Sequence, residues 1–114
     1  MATELIPTEW KEAVCAILKT QDKSKIRMVL RARNEFFAQF PNAWDYNLYE
    51  LLERYLLRAD AVGRRITDLK PPGVGYVFIC EYEGEKVYVK LNLLTSGDVV
   101  WIVSAHRPLK GDVL

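Results

Sequence analysis

An α+β fold is predicted for this chain by three observations. Apolar residues recur at helical spacing through the first half, β-branched and aromatic runs fill the second, and a stretch rich in proline and glycine separates them. The expected architecture is three N-terminal helices, in a helical half at 8–62, packed on one face of a C-terminal three-stranded antiparallel β-meander at 76–106, with a hinge loop at 67–75. A chain of 114 residues, half of them apolar, suits one domain over 1–114.

The first helix is expected from about Glu9 to Lys19, with Thr8 as its N-cap and Trp10, Val14, Ile17 and Leu18 on its apolar face. After Gln21-Asp22, the positions Ile26, Val29, Leu30, Phe36, Phe37 and Phe40 keep a helical period until Pro41, which predicts a second helix bent near Asn34. Tyr46, Leu48, Tyr49, Leu51, Leu52, Tyr55, Leu56 and Leu57 are apolar on more than one face, as in a helix buried between neighbours, and Gly63 is its expected stop. Two prolines and two glycines between Asp68 and Gly75 exclude regular structure there. Strands are expected at Tyr76–Tyr82, Lys86–Leu94 and Asp98 or Val99–His106, separated by Glu83-Gly84 and a Thr-Ser-Gly segment.

Sixteen Lys/Arg against fifteen Asp/Glu give a net charge of +1, which excludes a strongly basic nucleic-acid coat protein and an acidic disordered tail. Recognition by charge must therefore be local. No apolar run approaches the roughly 20 residues of a membrane span. The N-terminus lacks a basic region followed by an apolar one, so a cytoplasmic location is expected, with no membrane partner. Cys15 and Cys80 lie in no CxxC pair and beside no second metal-type ligand, so both read as buried thiols, and no metal or small-molecule cofactor is expected.

A two-residue Glu83-Gly84 loop pairs Cys80 with Val87, Phe78 with Val89 and Glu81 with Lys86. The next hairpin has two candidate loops. A two-residue Ser96-Gly97 loop places Trp101 on the face of Tyr88 and Lys90; a three-residue Thr95-Ser96-Gly97 loop with Gly97 left-handed places it with Val87 and Val89. The second is preferred because it gathers Phe78, Cys80, Val87, Val89, Leu91, Leu93, Val99, Trp101 and Val103 into one apolar face. The opposite face then carries Glu81, Lys86, Tyr88, Lys90, Asn92, Ser104 and His106.

His106 is the only imidazole in the chain and the natural general acid or base near neutral pH. Lys90 would stabilise negative charge at a phosphate, and Tyr88 would stack on a base or position a phosphate oxygen. Each also has an ordinary reading, as a strand-end histidine, a lysine paired with Glu81 and a tyrosine covering its neighbours. From Lys19 to Arg33 six cations stand against one acid, a local charge of +5. On the second helix Lys23, Arg27 and Arg31, spaced four apart, would form a stripe that meets phosphates, an acidic protein or simply water. Arg64, Arg65, Lys86 and Arg107 would extend a basic rim. No GxxxxGK[ST], GxGxxG or GxSxG motif occurs.

The stretch Glu85-Lys86-Val87-Tyr88-Val89-Lys90-Leu91, followed by Val100-Trp101-Ile102-Val103-Ser104-Ala105-His106, resembles the closing hairpin of RelE-like toxins, and most nearly their motility quorum-sensing regulator branch. The resemblance covers about 30 residues. The chain departs from it in its near-neutral charge and its three preceding helices. It implies helices on one side of an antiparallel sheet and mRNA on the other, cleaved without a metal by attack of the ribose 2′-OH, and a cognate antitoxin protein as partner. It maps Tyr88, Lys90 and His106 onto the active face. The alternative is a non-catalytic interaction domain, antitoxin-like, immunity-like or an adaptor, that docks an acidic partner through its basic helix or a sheet edge. The enzyme reading requires Tyr88, Lys90 and His106 to emerge together with Trp101 buried behind them. A Trp101 ring on the side of Lys90 removes its basis.

Overall fold

The computed structural model describes residues 3–112. In chain order it contains β1 (Glu4–Leu5), α1 (Thr8–Thr20), β2 (Ile26–Met28), α2 (Leu30–Gln39), α3 (Asp45–Leu56), β3 (Val62–Ile66), β4 (Gly73–Tyr82), β5 (Glu85–Leu94) and β6 (Val100–His106). The fold is α+β, but the expected three-stranded meander behind an all-helical half is incorrect. The sheet has six strands in the order β1-β3-β4-β5-β6-β2, mixed because β2 runs parallel to β6, and the helices are interleaved with strands.

The predicted second helix is where the reading fails first. Asp22 accepts hydrogen bonds from the Ser24 amide and hydroxyl at 2.9 and 2.7 Å, an Asx turn that ends the α1 connection. The chain then extends beside β6, with the Val100 amide donating to the Lys25 carbonyl and the Val29 amide to that of Ile102. Ile26 is buried and Arg27 exposed, which is strand alternation. Leu30, placed in the core by a helical stripe, is 70% exposed. The stripe of Lys23, Arg27 and Arg31 therefore does not exist: these residues lie in a turn, on β2 and on α2 respectively.

Thr8 is the first residue of α1 rather than its cap. Gly63 does not stop a helix but sits inside β3, where a Cβ would lie 2.7 Å from the Val77 carbonyl oxygen. The hinge loop ends at Gly73, where β4 begins, so 73–75 belong to the sheet. A Cβ on Gly73 would collide with Asn92 Oδ1 and the Leu93 carbonyl oxygen. Gly73→Ala is therefore expected to destabilise the protein by about 1–3 kcal/mol through overpacking; an unchanged denaturant midpoint would contradict that contact.

One apolar core joins the elements. Val14 and Leu18 of α1, Ala32 and Phe36 of α2, and Leu48 and Leu52 of α3 pack in one cluster with Phe78, Val87, Val89, Leu91, Val100, Ile102 and Ala105 of the sheet. All three helices thus pack against one face of the sheet. Trp10 Nε1 donates to the Val74 carbonyl at 2.8 Å, and the buried Lys11 Nζ donates to the Arg58 carbonyl at 2.9 Å, tying α1 to β4 and to the chain just beyond α3. Both cysteines are free and buried. Burial pushes the Cys80 thiol up to about 12. Among the described residues, no helix is long and apolar enough to cross a membrane.

Asp45 opens α3 and holds the junctions together, receiving Lys23 Nζ at 2.7 Å and Arg33 at 3.1 and 3.2 Å through both terminal nitrogens. Burial alone would raise this carboxyl, but the hydrogen bonds and charges of Arg33 and Lys23 outweigh it and hold the group below its ordinary range. A carboxylate depressed in the folded state stabilises above its unfolded pKa, and that stability is lost as pH falls through the folded value. In Asp45→Asn the stability lost on acidification below about pH 4 should shrink relative to wild type. Parallel urea midpoints at pH 7 and pH 3 measure it, and equal losses in the two proteins would refute the assignment.

Candidate nucleic-acid interface

β5 and β6 pair in two blocks. Leu91, Asn92 and Leu93 oppose Ile102, Trp101 and Val100; Tyr88, Val89 and Lys90 oppose His106, Ala105 and Ser104. Val103 is the extra residue between the blocks, a β-bulge. Gly97 is left-handed, with φ 81°, but the Leu94 amide donates to the Val99 carbonyl. The turn is therefore longer than the preferred three-residue loop, and it begins β6 in the other candidate register.

Trp101 consequently faces the side of Lys90, contrary to expectation, and the helix side carries Val100, Ile102 and Ala105 in place of Val99, Trp101 and Val103. The apolar face built on Val99, Trp101 and Val103 therefore does not form, and a catalytic surface with Trp101 buried behind it is ruled out. In an unbroken strand residues 101 and 106 point to opposite faces. The bulge advances the alternation by one residue, so Trp101, Ser104 and His106 share the open face with Tyr88 and Lys90.

Strand pairing extends this face across the sheet. Arg64 of β3 opposes Val77, which opposes Lys90; Lys86 opposes Glu81; Arg27 of β2 opposes Trp101. Among the strand residues of the open face, four cations, Arg27, Arg64, Lys86 and Lys90, accompany one carboxylate, Glu81. The Arg64 Nε is buried and has no hydrogen-bond partner. The Arg27 guanidinium lies 5.7 Å from the centre of the Trp101 ring, a cation–π contact.

The rings of Tyr88 and His106 stack at 5.2 Å with planes 23° apart. His106 Nδ1 is 2.7 Å from the Arg107 carbonyl oxygen. A carbonyl only accepts, so Nδ1 is the ring nitrogen that donates there and Nε2 is the one left to act as an acceptor. The loop at 67–72 is fastened along the same face: Asn92 Nδ2 donates to the Pro71 carbonyl at 2.8 Å, and Leu69 occupies the space that a Cβ on Gly75 would need.

The sequence-predicted residues thus divide. Tyr88, Lys90, His106, Arg27, Arg64 and Lys86 come together on the open face. Lys23 is paired with Asp45, Arg31 with Glu35 at 3.5 Å, and Arg107 with Glu85 at 2.6 Å on the helix side, while Arg65 opposes the core residue Tyr76. Trp101 was missed as a site residue, although the rejected two-residue loop carried the signal. A cleft of about 580 Å³ lined by Phe37, Trp44, Tyr46 and the Lys23–Asp45–Arg33 cluster lies apart from the sheet face and contains none of these residues except Lys23. Among the described residues no group of His, Cys, Asp or Glu is arranged to hold a metal ion. No protein-family model, curated protein or solved structure matches the chain, so the function is argued from this geometry.

Proposed function

We propose that the chain is an endoribonuclease of the toxin–antitoxin type, binding single-stranded mRNA on the open sheet face and cleaving it there without a metal. The observation that carries this reading is the gathering of four cations, an indole and an imidazole from four strands onto one face of a chain with a net charge of only +1. Phosphates meet cations, and unpaired bases stack on aromatic rings and guanidinium planes. The rival reading, docking of an acidic protein, loses the helical stripe of Lys23, Arg27 and Arg31 and keeps only a sheet edge.

In the proposed reaction His106 Nε2 takes the proton of the ribose 2′-OH. The 2′ oxygen bonds to the adjacent phosphorus, the bond from phosphorus to the 5′ oxygen breaks, and that oxygen is protonated from solvent. The Lys90 ammonium offsets the charge on the non-bridging oxygens. Tyr88, only 7% exposed, offers no ring face to a base. Its role becomes that of a positioning residue under His106. A cognate antitoxin would silence the protein by covering this face. Incubating the purified protein with an end-labelled single-stranded transcript in EDTA tests the reaction. Fragments ending in a 2′,3′-cyclic phosphate and a 5′-hydroxyl are expected, and intact RNA, or fragments with 5′-phosphate ends, would overturn it.

A further inference from the structure

We propose that Trp101 and Arg27 form the subsite for the nucleobase adjoining the scissile phosphate, and that the bulge at Val103 is the device that brings this subsite into line with His106. The inference rests on the RNA reading above and adds the residue that grips a base.

Along the open face the side chains form successive rows. Tyr88 and His106 stand in one, Lys90 and Ser104 in the next, Asn92, Trp101 and Arg27 in the third. Residues of one strand on one face are about 7 Å apart and neighbouring strands about 4.8 Å, so the Trp101 backbone lies roughly 8 Å from that of Lys90, on the side away from His106. An acid–base group, a cation and a flat aromatic surface follow one another in that order. A phosphate beside Lys90 therefore has its 2′-OH chemistry on one flank and a stacking surface on the other.

The indole is half-buried and Arg27 exposed, so part of the pair's surface remains accessible to a ligand. Arg27 adds a guanidinium plane to the stack and a charge for the next phosphate. In an unbroken strand Trp101 and His106 would face opposite ways, and a base stacked on the indole would be separated from the imidazole by the sheet. The one-residue bulge removes that conflict. Bulges are found beside active sites where a side chain must be re-aimed.

The test uses a fluorescently labelled ten-residue 2′-O-methyl adenosine oligomer, which lacks the attacking hydroxyl, and an abasic oligomer of the same length. Wild type should bind the adenosine oligomer about tenfold more tightly than the abasic one. Trp101→Leu should lose about that tenfold, about 1.4 kcal/mol, on the adenosine oligomer and nothing on the abasic one. Lys90→Ala should weaken both equally. Binding should also quench indole emission in a Trp44→Phe background, where Trp44, 68% exposed, no longer contributes and Trp10, 6% exposed, is shielded. This measurement needs no change at Trp101 and holds if Trp101→Leu fails to fold. If RNA binds with undiminished indole emission, or Trp101→Leu binds adenosine as wild type does, the subsite is refuted while the RNA reading stands. If wild type binds neither oligomer, both are refuted.

Discussion

His106→Ala and Lys90→Ala should each abolish growth arrest on induced expression and lower the rate of transcript cleavage, while leaving the protein folded. Loss of the acid–base group costs about 10²–10⁴ in rate, and loss of a charge aimed at the transition state about 10²–10³. Neither change removes core packing, since both side chains are only half-buried at the open face. Unfolding free energies should therefore stay within the roughly ±0.5 kcal/mol usual for surface positions. Tyr88→Ala belongs to a different class: by freeing the imidazole from its 5.2 Å stack it should reduce the rate without changing the set of fragments. Arg31→Ala, whose charge pairs with Glu35 away from the sheet face, should cleave as wild type does. Full activity in both His106→Ala and Lys90→Ala would end the enzymatic assignment. Equal loss in Arg31→Ala would show that the cations act as a diffuse field rather than through this face.

The largest effect on stability is expected from Phe36→Ala. The ring is fully buried and sits 5.2 Å from Phe37 and Phe40 and 6.3 Å from Tyr82, centre to centre. It joins α2 to the β4–β5 end of the sheet. Removing it should cost about 3–5 kcal/mol from lost burial and the cavity left behind, a fall in Tm on the order of 10–20 °C. Leu30→Ala, at the exposed start of the same helix, should cost less than about 0.5 kcal/mol. The pair tests the corrected boundary of α2 directly. One helix running from Ile26 to Phe40 would bury Leu30, and a large loss at that position would restore the expectation drawn from periodicity.

Local chemistry was enough to place α1, the body of α3 and the β4–β5 hairpin, because each carries a repeating signal over many residues, although the end of α3 was not marked by Gly63. Glu83-Gly84 set the register that pairs Phe78 with Val89 and Glu81 with Lys86, as observed. Strands of two, three and five residues, β1, β2 and β3, carry no period long enough to recognise. Ile26-Arg27-Met28 fits a helix and a strand equally well until β6 is beside it to accept its hydrogen bonds. The same limit governs the candidate site. Tyr88, Lys90 and His106 could be grouped from residue types and alternation, whereas the orientation of Trp101 could not. A bulge is a property of two paired strands, decided where the register set by the turn after Leu94, which holds Val100 and Ile102 under the helices, meets the shifted register that puts Ala105 on the same side. Alternation along one chain contains no record of that conflict, so the indole, Arg27 and Arg64 join the face only when the strands are laid side by side.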